Sequence, residues 1–140
     1  MLDASAILPL ALPNEDATYS NAVLCRIGMD ELAYVPPIFW DELLNVLVLG
    51  VRRGRIDLKV AEAFLLKASF KLPIITTSPR SRLEVLRIAH DYGLTSYDAT
   101  YLSLAIELEA DIATHDKALA DAAKRAGLVR YEPGERKATA

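Results

Sequence analysis

Four acidic residues, Asp3, Glu42, Asp98 and Asp116, each stand where an expected strand passes into a helix or one turn inside that helix. In an open parallel sheet the carboxyl ends of the strands share one edge, so acids from distant segments can meet in one crevice there. Two like charges about 4 Å apart repel by roughly 4 kcal/mol at an effective dielectric of 20, so gathered carboxylates call for cations or protons. Hard oxygen ligands favour magnesium or manganese over zinc. Such a centre can polarise a phosphoryl oxygen, generate hydroxide from water and stabilise a leaving oxygen.

Each acid also has a structural explanation. Aspartate favours helix N-caps, and acids in a first turn complement the helix dipole. Asp116 precedes Lys117-Ala118-Leu119 as a cap would, Asp98 lies three residues after Thr95 in a capping-box arrangement, and Asp3 fits the cap of a following turn. Glu42 resists this reading, because the residues after it are almost all apolar and a lone buried glutamate is costly.

Positioning these acids requires alternating strands and helices. A helix is expected over Ala17–Met29, and a strand over Leu32–Val35 stopped by Pro36-Pro37. The next helix runs from about Ile38 to Arg53 and is apolar almost all round, which marks it as core and as a dimer face. Asp57 or a neighbour starts another helix, with Val60, Ala61, Phe64, Leu65 and Ala68 at helical spacing, and Leu72–Thr76 reads as a strand. A helix over Arg82–Tyr92 closes on Gly93, and Thr95 or Ser96 caps one from Tyr97 to about Glu109. Asp111–Thr114 is a strand, Asp116 opens a helix to Ala126, Gly127 ends it, and Leu128–Tyr131 is a last strand. Only Met1 and Leu2 precede Asp3, so the first strand is short or truncated. The fold class expected is α/β with a mainly parallel sheet of about five strands. Residues 1–131 form one domain and 132–140 a flexible tail.

The chain has 140 residues, enough to bury a core, and 52% of them are apolar with tyrosine counted. That excess suggests an apolar face covered by a partner or a second copy. A net charge of −3 argues against a purely electrostatic nucleic-acid binder, although Arg52, Arg53, Arg55, Arg80 and Arg82 are clustered. These arginines read as solvated surface or as phosphate contacts. The lone Cys25 excludes an intrachain disulfide and a cysteine-based zinc site, and is expected to pack as a small hydrophobe. No segment has the length and apolarity of a membrane span or the pattern of a signal peptide, so a cytoplasmic location is expected. His115, beside Asp116, and His90 are read as surface histidines rather than as bases. Trp40, Tyr97 and Tyr101 either pack or stack on bases.

Asp3-Ala4-Ser5-Ala6-Ile7-Leu8, Trp40-Asp41-Glu42-Leu43-Leu44-Asn45-Val46-Leu47, Tyr97-Asp98-Ala99-Thr100-Tyr101-Leu102 and Ala113-Thr114-His115-Asp116 resemble the four acidic motifs of PIN-domain proteins, nearest to the small VapC-type toxins. The resemblance covers the chain to about Tyr131. It implies a PIN-like α/β/α sandwich and a Mg²⁺- or Mn²⁺-dependent endoribonuclease whose catalytic and metal-binding acids are Asp3, Glu42, Asp98 and Asp116. Ser5, Asn45 and Thr114 match supporting polar positions. A homodimer and a small antitoxin that occupies the site are implied as well. Two alternatives stay open: a non-catalytic module of the same fold, and a haloacid-dehalogenase-like phosphatase, whose second aspartate is replaced here by Ser5.

Overall fold

The computed structural model describes residues 1–134. Two short 3₁₀ turns, Ala4–Ala6 and Leu8–Leu10, follow Asp3, where Pro9 and Pro13 limit anything longer. Then come α1 (Thr18–Met29), β1 (Ala33–Val35), α2 (Ile38–Arg52), α3 (Leu58–Phe70), β2 (Ile74–Thr76), α4 (Arg82–Tyr92), α5 (Ser96–Glu107) and α6 (Lys117–Arg125).

The sheet departs from the expected strand count. Among the described residues it has two strands, β1 and β2, parallel and in register Ala33↔Ile74, Tyr34↔Ile75 and Val35↔Thr76. The three other segments expected as strands contribute isolated parallel bridges, Leu2↔Ala113 and Ile112↔Arg130. Backbone bonds still order them across the molecule: Leu2 N–H donates to the Tyr34 carbonyl at 2.9 Å, Asp3 N–H to Ala113 at 3.0 Å, and Tyr131 N–H to Ile112 at 2.7 Å. The shortfall has a local cause. The first segment turns into a 3₁₀ turn at Ala4 and the fourth gives way to α6 at Lys117, so neither continues long enough for a ladder.

Helix ends follow the capping chemistry of the sequence. Ser81 accepts from Glu84 N–H at 3.2 Å at the start of α4, and Gly93 closes that helix at φ 66°, a left-handed position that suits glycine. Helix α5 stops two residues earlier than expected, because Glu109 adopts φ 49°. The core gathers Leu2, Ile7, Val35, Phe39, Leu43, Tyr101, Leu102 and Leu119 from separated segments. Helix α2 contributes Phe39, Leu43 and Leu47 to it, yet Leu44 and Val48, four residues apart, stay exposed. Cys25 is exposed, against expectation: it lies on the outer side of α1, whose inner face is Val23, Leu24 and Ile27. The tail expected over 132–140 falls from 135 onward outside the described residues. Among the described residues no helix is long and apolar enough to cross a membrane.

Candidate active site

Asp3 sits at the carboxyl end of the first segment, hydrogen-bonded through its backbone to Ala113 on the fourth, and its side chain is buried. One carboxylate oxygen, Oδ2, accepts from the Ser5 hydroxyl and from Thr114 Oγ1, the latter at 2.7 Å. These hydroxyls are aligned in turn by backbone donors: His115 N–H reaches Ser5 Oγ and Asp116 N–H reaches Thr114 Oγ1, both at 2.9 Å. The hydroxyl protons are therefore directed at Asp3. Burial pushes the Asp3 carboxyl above its ordinary value, the two hydroxyl bonds pull it back, and the charges of Asp98 and Asp116 raise it again.

Glu42 reaches the same region from the second turn of α2. It accepts a hydrogen bond from Tyr101, a fully buried tyrosine of α5. Its carboxyl is also raised, by burial first and then by Asp3 and Asp98, with the tyrosine bond opposing. The Tyr101 hydroxyl is itself pushed up by burial and by its bond to Glu42, so it remains a donor at neutral pH.

Asp98 and Asp116 stand at helix starts with their carboxylates partly committed to local bonds. Thr95 Oγ1 donates to Asp98 Oδ2 at 2.7 Å and accepts from Asp98 N–H at 3.1 Å, a reciprocal cap on α5. Asp116 Oδ1 accepts from Leu119 N–H at 2.7 Å as the N-cap of α6. The capping and clustering readings therefore coexist in both residues. Of the supporting positions, Ser5 and Thr114 hold Asp3, whereas Asn45 is exposed on α2 and takes no part in this network.

Among the described residues none of the four acids is in an ion pair. The donors are all hard oxygens, the type that magnesium and manganese take. Among the described residues, however, no three histidine, cysteine or acidic side chains are grouped closely enough to hold one ion directly. Magnesium commonly takes one or two carboxylates and keeps several waters, and this looser arrangement is compatible with that mode.

The sequence marks Tyr101 as a packing or base-stacking ring and not as the donor to Glu42, and it does not mark Arg130 or Tyr19. Tyr101 was legible in principle, since a tyrosine inside the apolar run of α5 needs a partner for its hydroxyl. Arg130 and Tyr19 were not. Arg130 Nε donates to the Thr114 carbonyl at 3.0 Å and its guanidinium lies 4.2 Å over the Tyr19 ring, a contact between residues more than a hundred positions apart.

The fold and this acidic edge define a known class: a family model for the PIN domain matches residues 1–125, and the chain belongs to the PIN-domain family. It is similar to Exonuclease VapC9 of Pyrobaculum aerophilum, 32% identical over 132 residues that cover 94% of this chain and 90% of the relative. It is also similar in structure to PAE2754 from Pyrobaculum aerophilum, whose crystal structure matches with a TM-score of 0.70 at 29% identity, covering 92% of this chain and 87% of that one.

Proposed function

We propose that this protein is a divalent-metal-dependent ribonuclease that hydrolyses RNA phosphodiester bonds, and that it is the toxin of a toxin–antitoxin pair. One observation carries the reading: the carboxyls of Asp3 and Glu42, buried and half-buried, come close enough to acids from distant segments to be raised by them, and among the described residues none of the four acids has a cationic partner. Asp3, Glu42, Asp98 and Asp116 would hold Mg²⁺ or Mn²⁺. When bound, the ion supplies Lewis-acid polarisation of the phosphoryl oxygen and a more acidic water.

The chain's own residues then have defined roles. Ser5 and Thr114 keep one oxygen of Asp3 occupied and orient the other, and Tyr101 does the same for Glu42. Burial raises the carboxyls of Asp3 and Glu42, so their charged forms are disfavoured where they stand and a bound cation would offset that cost. An endonucleolytic cut, a cytoplasmic location, a homodimer covering exposed apolar residues such as Leu44 and Val48, and an antitoxin that blocks the acids complete the reading. A non-catalytic module is the second reading, favoured by the lack of a close three-acid group among the described residues.

The experiment is incubation of total cellular RNA and of a circular single-stranded RNA with the protein in Mg²⁺ or Mn²⁺, then with EDTA, alongside Asp98→Asn. Metal-dependent cutting of both substrates that is lost in the variant is the expected result. Cutting of linear RNA alone would make the enzyme an exonuclease, as the name of the relative has it. No cutting, together with no calorimetric binding of either ion, would leave the interaction module.

A further inference from the structure

A cavity of about 610 Å³ opens beside the acids. Ser5, which bonds Asp3, lines one wall, and Val46 lines another, one turn beyond Glu42 on the same face of α2. Leu8 and Leu12 are apolar walls, and the rings of Tyr19 and His115 meet there edge to face, with centroids 4.9 Å apart at 65°. The tyrosine is held in place, since its hydroxyl donates to the Tyr131 carbonyl at 2.7 Å and the Arg130 guanidinium covers its ring. The volume is within the range of small-ligand pockets, about 300–1,000 Å³.

Two acids lie at the rim. Glu15 is paired with Arg55 at 3.2 Å, and Asp16, near His115, accepts from Thr18 N–H at 2.9 Å. This aromatic and aliphatic slot has Asp16 as the one lining acid that is not in an ion pair among the described residues, since Glu15 is held by Arg55. It suits a flat, neutral ring that carries amine donors, because carboxylates can only accept.

We propose that this cavity holds one nucleobase of the RNA, the base adjoining the phosphate presented to Asp3 and Glu42, and that it prefers a base with an exocyclic amine to uracil. The proposal rests on the ribonuclease reading and adds to it the origin of sequence preference. The base packs against Tyr19 and His115, and its amine donates to Asp16, while the acid cluster keeps the chemistry. Aromatic packing of a base tolerates many sequences, so the discrimination comes from the rim acid.

Two variants test this in the full chain. His115 is exposed and touches the cluster only through its backbone N–H, so His115→Ala removes one ring and leaves the acids in place. Asp16→Asn keeps an acceptor for Thr18 and adds an amide donor at the rim. A short RNA carrying a fluorescent adenine analogue, titrated in EDTA, is expected to be quenched on binding, with affinity about tenfold weaker in His115→Ala. Sequencing the ends left after cutting a random RNA pool in Mn²⁺ should show uracil depleted at one position beside the cut, and Asp16→Asn should erase that depletion. Equal quenching and affinity in His115→Ala, or an unchanged base pattern in Asp16→Asn, overturns the pocket, as it would if the cavity took a peptide side chain instead. Cutting without these effects sinks the pocket and spares the nuclease; quenching without any cutting does the reverse.

Discussion

Asp3 and Asp116 occupy the same kind of place, the junction where an extended segment turns into a helical one, but they are used in opposite ways. Asp116 caps: its carboxylate takes the Leu119 N–H at 2.7 Å and completes α6. Asp3 makes no capping bond to the turn it precedes. Its oxygen is held instead by two hydroxyls, and it is buried. A capping acid is at rest in its backbone, whereas a buried acid held only by hydroxyls, near other acids, has an unmet demand for positive charge. The contrast teaches that the job of an N-terminal aspartate is decided by whether backbone N–H groups or side-chain hydroxyls reach it.

The largest test of the contrast removes the charge of Asp3. Asp3→Asn keeps an acceptor for Ser5 and Thr114, so the fold should survive while RNA cleavage falls by at least about 100-fold and calorimetric binding of Mn²⁺ is lost. The same variant should be more stable than the wild type without metal. The sign follows from Asp3 being raised above its ordinary 3.8 in the folded chain. Its stabilising protonated form is fully present below that pH and is lost as pH rises through the folded value. Thermal melts in EDTA should therefore show the variant and the wild type together at low pH and the variant ahead near neutrality. Saturating Mn²⁺ should close that gap, because only the wild type binds it.

Tyr101→Phe should have the next largest effect. Glu42 loses its donor in a half-buried place, which costs about 1 kcal/mol in denaturant melts, and Mn²⁺ affinity measured by calorimetry should drop about tenfold. Smaller again is Asp116→Ala, expected to lose about 1 kcal/mol through the missing cap, measured by urea unfolding. Asp116→Asn should restore nearly all of that stability, because asparagine caps as well as aspartate. If Asp116→Asn matched wild-type cleavage too, Asp116 would be a cap and nothing more, and the comparison with Asp3 would be absolute.

The pattern of helices was legible because caps, breakers and apolar spacing act within a few residues. Thr95, Gly93 and Asp116 each mark an end that the structure shows. The sheet was less legible, since the first, fourth and fifth extended segments are too short to declare how many consecutive bridges they form. The exposure of Cys25 is not legible in the sequence, because a local apolar neighbourhood does not say which side of α1 faces inward.

What the sequence determined by itself is therefore the identity and order of the acids and the local elements that carry them, all of it chemistry of near neighbours. Only the tertiary structure decided which hydroxyls hold Asp3, that Tyr101 serves Glu42, that Asn45 is left outside, and that Tyr19 and His115 share a cavity with Ser5. The physical reason is sequence distance. Thr114 lies 111 residues from Asp3 and Tyr101 lies 59 from Glu42, and at such separations only the packing of the core brings a donor to its acceptor.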